Sequence, residues 1–286
     1  MELSVVIVSY NVSTLLRGAL QSVIYACRGT EHEIIVVDNN SSDSSATIVR
    51  DEFPGVRLIL SCTNEGFSAA CNRGILASSG EYILILNPDT ITEGEAIHRA
   101  LNFMKSHPEA GASGARMTDG NGRFLPESKR GFPSPLTALF RFTGLGKIFP
   151  ASAFFNAYYV GNKPETVTCR ADILTGAFML IRRKALEKAG PFDTSFFMYG
   201  EDIDLSWRII KAGYLNYYLH DVRITHFKGR SSVQQREASM RHFWDAMVIF
   251  SVKHFNRGWH LPVKIAVTVL KCLSITRLKI VSLVKK

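Results

Sequence analysis

The stretch that decides the fold of this chain is Glu81-Tyr82-Ile83-Leu84-Ile85-Leu86-Asn87-Pro88-Asp89. Its five consecutive apolar or aromatic residues predict a strand that is buried on both faces. Proline cannot donate to a β-ladder, so the strand ends there and Asp89 lies at its carboxyl end. Open α/β sheets bind ligands at that edge, and a carboxylate fixed there suits a divalent cation that carries phosphate. An aspartate that merely starts a turn or caps the next helix fits the same pattern.

The sequence before this strand alternates between strand and helix patterns with short connections. Strands are predicted over residues 3–8, 33–37 and 56–60, and helices over 14–26, 43–51 and 68–77. This alternation predicts a parallel sheet with right-handed crossovers. Neither GxGxxG nor GxxxxGK[ST] occurs, so a dinucleotide-binding fold and a P-loop have no motif support.

Composition and charge are compatible with a complete enzyme domain. The 286 residues are 46% hydrophobic and 21% charged, and the five cysteines form no CxxC pair, which predicts reduced thiols and argues against a disulfide framework or a zinc site. A strand pattern begins directly after Met1-Glu2, so no signal peptide is predicted and the expected location is cytoplasmic. The segment 118–168 is rich in glycine, proline and aromatic residues, typical of either a functional insertion or a satellite hydrophobic cluster.

Three acids, Glu201, Asp202 and Asp204, lie at the predicted start of a helix, where the helix dipole favours negative charge. Asp204 and Arg208 are four residues apart, so we expect an ion pair between them. Glu201 and Asp202 remain as spare carboxylates after an apolar loop. Crowding among acids in such a loop should raise a carboxyl pKa, which suits a general base.

A further candidate is His226, which follows a pattern of short strands predicted over 214–218 and 222–225. It precedes a glycine-hinged segment with lysine, arginine and serine, residues 227–232. That setting makes His226 a candidate ligand of phosphate or metal, although a lone histidine is more often structural.

Taken in order, these patterns resemble the inverting glycosyltransferases of family 2, which have the GT-A fold, and especially rhamnosyltransferase-type members. The matching motifs are residues 5–11, 36–43, 64–74, 86–89, 174–183 and 196–205, followed by His226. The resemblance covers roughly residues 3–232. It implies a mostly parallel central sheet flanked by helices, within a catalytic domain of residues 1–235. Residues 1–117 would bind the nucleotide sugar, residues 118–235 would bind the acceptor, and residues 236–286 would form a helical extension.

The resemblance also implies roles for individual residues on the donor side. Asp38 would hydrogen-bond the nucleotide base, and Ser9, Tyr10 and Arg73 would line the same pocket. Asn87 and Asp89 occupy the positions of the family's Asp-x-Asp motif. Many members have aspartate where this chain has Asn87, so one metal-facing charge is missing.

The remaining implied roles concern the cation and the chemistry. Asp89 would bind Mg²⁺ or Mn²⁺ that bridges the donor diphosphate, and His226 matches a second metal ligand of some members. Asp202 matches the general base, with Glu201 beside it. The implied reaction moves a sugar, plausibly rhamnose or another deoxyhexose, from a dTDP- or UDP-linked donor to a glycan or polyprenyl-diphosphate-linked glycan, with inversion. The alternatives are a nucleotidyltransferase that forms the nucleotide sugar and a non-catalytic module that binds nucleotide sugar or membrane.

The C-terminal tail is strongly basic. After Asp245 the chain has no acidic residue and eight basic ones, which account for most of the net charge of +9. From residue 264 onward the helical pattern puts Lys264 and Lys271 on one side and Ile265 and Val269 on the other. This pattern predicts an amphipathic helix on an anionic membrane, peripheral to the inner face of the cell membrane, with Phe243-Trp244 and Trp259 at headgroup level. A helix packed on the catalytic domain is the alternative, and binding to nucleic acid is not expected.

Overall fold

The computed structural model describes residues 1–134, 137, 148–149, 152, 154–161, 163–227, 236–255 and 257–284. Within the helices, side chains are described except at residues 236, 257–261, 273 and 277–284. The glycine-hinged segment after Phe227, residues 228–232, therefore lies outside the described residues. So do the side chains of Trp259, Arg277 and Lys279, and residues Lys285 and Lys286.

The first part of the chain is an alternating α/β unit, as its pattern predicts. Its elements are β1 Leu3–Ser9, α1 Ser13–Ala26, β2 His32–Asp38, α2 Ser45–Glu52, β3 Arg57–Leu60, α3 Phe67–Leu76 and β4 Tyr82–Leu86. The four strands are parallel in the order β3-β2-β1-β4. Neighbouring residues of β4 enter opposite hydrophobic layers, Leu84 on one face and Ile83 on the other. Because both faces are covered, the strand is apolar throughout.

The second part of the chain extends the same sheet. It contains β5 Thr90–Thr92, α4 Ala96–Ser106, β6 Ala110–Thr118, β7 Cys169–Arg170, β8 Phe178–Arg182, α5 Arg183–Ala189, α6 Glu201–Lys211 and β9 Leu215–His226. The full strand order is β3-β2-β1-β4-β8-β6-β9-β5, with β7 also paired to β9. The sheet is mostly parallel among its first strands, whereas β8 runs antiparallel to both β4 and β6.

Several strand predictions differ from the structure; the short strands β5 and β7, for example, were not predicted. The strand expected over 173–181 is confined to β8, because Ile173 instead forms a β-bridge with Arg130. The two strands expected over 214–218 and 222–225 are one continuous strand, β9. No strand was predicted at β6, whose sequence AGASGARMT has weak strand propensity. Its small residues are required by packing, since a Cβ at Gly111 would lie 2.5 Å from Ile209.

The C-terminal extension consists of two helices, α7 Arg236–His254 and α8 Arg257–Val284. Ala246 and Phe250 of α7 pack on Phe196, which lies in the loop before α6. Helix α8 lies alongside α7, with Val267 buried and Lys271 2.5 Å from Asp245. Within the described residues, no helix is long and apolar enough to cross a membrane.

The described part of α8 has an apolar side open to solvent, as an amphipathic surface helix requires, but one of its predicted basic residues is turned to α7. Ile265 and Val269, both predicted on the apolar side, are 57% and 53% exposed. Lys271, predicted on the basic side, lies at the contact with α7, where it pairs with Asp245. Helix α8 thus packs on α7 along one side and leaves part of its apolar side open to solvent, and its binding to a membrane stays a prediction.

Candidate active site

The carboxyl ends of β1 and β2 bring Ser9 and Asp38 next to each other. These two residues are register partners in the parallel pair and both are buried. Asp38 Oδ2 accepts a hydrogen bond from the Ser41 amide at 2.9 Å. In the part of the chain that the structure describes, Asp38 Oδ1 and Ser9 Oγ have no hydrogen-bond partner. Buried polar atoms are normally paired, so unpaired ones at a sheet edge are typical of a ligand site.

Next to Asp38, Asn39 organises the loop that precedes α3. Its Nδ2 donates to Asn64 Oδ1 at 2.8 Å and to the Gly66 carbonyl at 3.2 Å, and its Oδ1 accepts from the Glu65 amide at 3.1 Å. Arg73 reaches the same loop from α3, where it lies 2.6 Å from Glu65 Oε2. The sequence motifs did not assign this role to Asn39, although it follows directly after the strand.

The predicted donor-side residues are therefore arranged in two groups. Ser9, Tyr10 and Asp38 lie together at the ends of β1 and β2. Arg73 is separate from them, more than one helical turn into α3, with its guanidinium on Glu65. The role of each residue in binding a nucleotide stays a prediction.

Asp89 and His226 are brought together by strand pairing. Asp89 immediately precedes β5, His226 ends β9, and Thr90 is the register partner of His226. Asp89 Oδ1 lies 3.2 Å from His226 Nε2, and both residues are at least nine-tenths buried. Among the described residues, however, Asp89 Oδ1 has no hydrogen-bond partner. Two ligand-type atoms that are close but not hydrogen-bonded are compatible with a shared cation, since metal ligands must have free lone pairs.

Asn87 follows β4 directly and lies two positions before Asp89 in the chain. Its backbone amide donates to the Ala177 carbonyl at 3.1 Å, and its carbonyl accepts from Thr90 Oγ1 at 2.8 Å. No group of three His, Cys, Asp or Glu side chains able to hold a metal occurs within the described residues.

The first turn of α6 carries the acids Glu201, Asp202 and Asp204. The chain enters this helix through Tyr199 and Gly200, both with positive φ, which turns the backbone sharply before the first acid. Asp202 Oδ2 accepts from Arg130 Nη2 at 2.7 Å and lies 3.4 Å from the Gly176 amide. Its Oδ1 accepts from the Ile203 amide at 2.8 Å.

Glu201 is buried and differs sharply from Asp202. Burial, followed by the neighbouring Asp202 charge, raises the pKa of Glu201 to about 8. Within the described residues its Oε2 has no hydrogen-bond partner. The predicted carboxyl with a raised pKa is therefore Glu201, and the cause is mainly desolvation.

Asp204 has a structural environment. The predicted ion pair with Arg208 is confirmed, at 2.7 Å, and Lys253 and His254 of α7 add contacts of 2.8 and 2.7 Å. These hydrogen bonds and charges hold the pKa of Asp204 well below its usual range despite its burial. Asp204 thus anchors the C-terminal extension to α6.

A short chain of contacts joins the acids of α6 to the pair formed by Asp89 and His226. Gly176, whose amide is near Asp202, adjoins Ala177, whose carbonyl accepts from the Asn87 amide. The loop before α6 is also tied to α3, because Phe67 N donates to the Phe197 carbonyl at 2.7 Å and Ser68 Oγ to the Phe196 carbonyl at 2.7 Å. Asp89, His226 and Asp202 therefore border one edge of the sheet.

Sequence reasoning missed Arg130, which lies in the aromatic-rich segment 118–168. Its backbone is fixed by the β-bridge to Ile173, and its guanidinium is buried against Asp202 and the Leu174 carbonyl. The triplet Lys129-Arg130-Gly131 in an otherwise aromatic region was the available signal, but nothing in it identified the partner.

The chain is similar in sequence to known glycosyltransferases. The family model described as Glycosyl transferase family 2 matches residues 4–190. An N-acetylglucosaminyl-diphospho-decaprenol L-rhamnosyltransferase of Mycobacterium tuberculosis is 29% identical over 275 residues, covering 92% of this chain and 88% of the relative.

Two solved structures are similar in fold. A crystal structure of TarS from Staphylococcus aureus has a TM-score of 0.60 at 17% identity, covering 97% of this chain and 73% of TarS. A mannosyltransferase from Pyrobaculum calidifontis, in complex with GDP-Man and Mn²⁺, also has a TM-score of 0.60 at 17% identity, covering 99% of this chain and 79% of that one.

Proposed function

Because this chain belongs to glycosyl transferase family 2, we propose that it transfers a deoxyhexose such as rhamnose, with inversion, from a nucleoside-diphosphate donor to a hydroxyl of a lipid-linked glycan. Family and fold make the chain a glycosyltransferase; the sugar, the acceptor and the residue roles are the proposal. The observation that carries it is the convergence of Asp89, His226 and Asp202 at one sheet edge.

The donor nucleotide would lie at the ends of β1 and β2. Asp38 and Ser9 provide buried oxygens with unused hydrogen-bonding capacity, which suit the polar edge of a nucleotide base. The loop held by Asn39 would lie beside it. The structural relative with bound GDP-Man supports a sugar nucleotide as the donor class, and we propose a dTDP- or UDP-linked sugar for this chain.

Asp89 and His226 would hold a divalent cation, Mg²⁺ or Mn²⁺. The fit is supported by the close, non-hydrogen-bonded approach of their ligand atoms, and by the Mn²⁺ bound to the mannosyltransferase. When bound, such a cation stabilises negative charge on a leaving diphosphate. Asn87 adds no charge here, and its backbone fixes the end of β4 instead.

Asp202 would act as the general base. It takes the proton from the acceptor hydroxyl while that oxygen forms a bond to the anomeric carbon. The bond from that carbon to the diphosphate oxygen breaks, and the electron pair leaves with the diphosphate. Attack from the side opposite the leaving group inverts the configuration, as in inverting hydrolases where water is the nucleophile.

The acceptor assignment rests on the rhamnosyltransferase relative, whose name specifies a polyprenyl-diphosphate-linked N-acetylglucosamine. A lipid-linked acceptor requires access to a membrane surface. The exposed Ile265 and Val269 of α8, with Lys264 beside them, offer an apolar and basic surface for an anionic leaflet at the inner face of the cell membrane. We expect the protein to sediment with vesicles that contain anionic lipid, and Ile265→Asp/Val269→Asp to weaken this binding.

The decisive experiment is transfer by the purified full chain, with dTDP-rhamnose or UDP-sugars and a polyprenyl-diphosphate N-acetylglucosamine, with and without EDTA. We expect transfer with inverted anomeric configuration, and a loss of about 10³-fold in kcat for Asp202→Asn. Formation of a nucleotide sugar from nucleoside triphosphate would instead favour the nucleotidyltransferase. Donor binding without hydrolysis or transfer would favour the non-catalytic module.

A further inference from the structure

Two neighbouring carboxyl groups, Glu201 and Asp202, lie at the start of α6. Both are largely removed from water, with Glu201 7% exposed and the Asp202 side chain 14% exposed. Adjacent buried carboxyls cannot both ionise easily, so one of them retains a proton unless a cation compensates. For one of the two carboxyls to act as a base, it must be ionised, so any retained proton must be on the other carboxyl.

Arg130 is the cation that faces this pair, and it contacts only one of the two. Its Nη2 donates to Asp202 Oδ2 at 2.7 Å, and the same nitrogen donates to the Leu174 carbonyl at 2.8 Å. Tyr158 is a further hydrogen-bond partner of the Arg130 side chain. A guanidinium remains charged at any physiological pH, so this contact favours negative charge on Asp202.

The position of Arg130 is rigid. Its backbone forms both hydrogen bonds of the bridge to Ile173, at 3.2 and 2.9 Å. The two neighbours of Arg130 in the chain are also held. Lys129 Nζ donates to the Val160 and Pro164 carbonyls, and Gly131 N donates to the Tyr158 carbonyl at 2.8 Å. The side chain is only 11% exposed. Arg130 therefore cannot follow Asp202 if Asp202 moves, and instead holds it in place.

The environment of Glu201 differs from that of Asp202. The charged or titratable groups that interact electrostatically with it include Asp202 on the same helix, Arg130 and the buried Cys71 thiol of α3. None of these donates a charged hydrogen bond to Glu201 within the described residues, and its Oε2 is unpaired. Asp204, the remaining acid of this turn, is neutralised by Arg208, Lys253 and His254.

We propose that Arg130 is a positioning residue that selects which of the two adjacent carboxyls serves as the base. Its contact fixes Asp202 Oδ2, whereas Glu201, which Arg130 does not contact among the described residues, retains its proton because it is buried. The proposal rests on the proposed function, in which Asp202 accepts a proton from the acceptor hydroxyl. Without Arg130, Asp202 would lose the charged contact that fixes Oδ2, and fewer molecules would carry the base in its active position.

The first experiment is the pH dependence of kcat/KM for the wild type, Arg130→Met and Arg130→Lys. We expect Arg130→Met to lower kcat about 10²-fold near neutral pH and to move the acidic limb of the profile upward by about one pH unit. Arg130→Lys keeps the charge and should keep the limb near its wild-type position with a smaller loss of kcat. Arg116→Met is the matched control, because it removes another Arg–carboxylate pair, Arg116–Glu165 at 2.6 Å, away from α6.

A purely structural role for Arg130 predicts a different result. In that case Arg130→Met would lower the melting temperature, but the acidic limb of its pH profile would lie at the same pH as the limbs of the wild type and of Arg116→Met. That result would overturn the proposal. If Arg130→Met does not fold, the test uses Arg130→Lys, which must retain the wild-type limb.

A second measurement separates this proposal from the proposed function, because it needs no turnover. Infrared spectroscopy of the protein at pH 7 detects the carbonyl band of a protonated carboxyl. We expect Glu201→Gln to remove this band and Asp202→Asn to leave it. A band that persists in Glu201→Gln overturns the assignment by Arg130 even if the wild type transfers sugar. If Glu201→Gln removes the band and Asp202→Asn keeps it, but the wild type transfers no sugar, the assignment of the proton to Glu201 is supported and only the proposed function is contradicted.

Discussion

The carboxylates of the proposed donor and acceptor sides are held in opposite ways. On the proposed donor side, Asp38 and Asp89 are fixed by the backbone at strand ends, and each keeps a buried oxygen without a hydrogen-bond partner among the described residues. On the proposed acceptor side, Asp202 is held by a cation from a distant part of the chain, and Asp204 is held by Arg208 of its own helix and by the distant His254. The sheet thus prepares one half of the site for a ligand, whereas side-chain pairs define the other half.

The largest expected effect tests the donor side of this comparison. We expect Asp89→Asn to lower kcat about 10²- to 10³-fold, because it removes charge that would hold the cation at the leaving group. Unfolding should be affected less than kcat, since Asp89 Oδ1 has no hydrogen-bond partner among the described residues and only its 3.2 Å approach to His226 would change. Thermal shift with Mn²⁺ and a nucleoside diphosphate should show stabilisation of the wild type and much less of Asp89→Asn and His226→Ala. Full stabilisation of both variants would contradict the metal assignment.

The next prediction concerns stability on the acceptor side. Asp204→Asn should lower the free energy of unfolding by about 3 kcal/mol, because it leaves Arg208, Lys253 and His254 without their buried counter-charge. Asp245→Asn is the matched control: it removes an exposed carboxylate paired with Lys271 and should cost less than about 1 kcal/mol. Equal losses in urea denaturation would show that burial of Asp204 is unimportant.

The same group gives acidic pH a defined effect. The pKa of Asp204 is lowered from its ordinary value of 3.8, so its folded form releases the proton more readily than its unfolded form. Its contribution to stability is therefore complete above that value and is lost as pH falls further. Asp204→Asn should accordingly become closer to the wild type in stability below pH 3.8.

The smallest effect concerns Glu201, whose pKa is shifted in the other direction. Folded Glu201 retains its proton to about pH 8, whereas the unfolded chain releases it near 4.5. Between these values the native state binds more protons, so stability falls as pH rises. Glu201→Gln removes this dependence and should gain about 1–2 kcal/mol relative to the wild type between pH 5 and pH 8. A difference that stays constant over this range in denaturation curves would contradict the buried, protonated carboxyl.

Much of the donor side could be predicted from sequence for a physical reason. Strands β1, β2 and β4 are mostly apolar because both sheet faces are covered, and a polar residue lies at or directly after the end of each: Ser9, Asp38 and Asn87. The GT-A fold, the family and the enzyme class are confirmed by the family model and the structural neighbours. The Asp204–Arg208 pair was also predictable, since it depends only on spacing along one helix.

The acceptor side could not be predicted to the same extent, because its contacts join residues far apart in sequence. Arg130 meets Asp202 across 72 positions, and His254 meets Asp204 across 50. No local pattern encodes such pairs. Strand β6 was missed for a related reason: its small residues are selected by contact with α6 and Tyr214, and not by strand propensity. The pKa prediction identified the right turn of helix but could not distinguish Glu201 from Asp202 without their burial.

Gly66 has a consequence for how this enzyme can be engineered. It has φ +84°, and a Cβ there would lie 2.5 Å from the Phe197 carbonyl oxygen, so the two loops touch through bare backbone. Any side chain at this position would force the loops apart. In a chimera that takes the first part of the chain from a relative with another donor preference, the loops that contain Gly66 and Phe197 should therefore come from the same parent. The contact between these two loops has no space in which a mismatch could be accommodated.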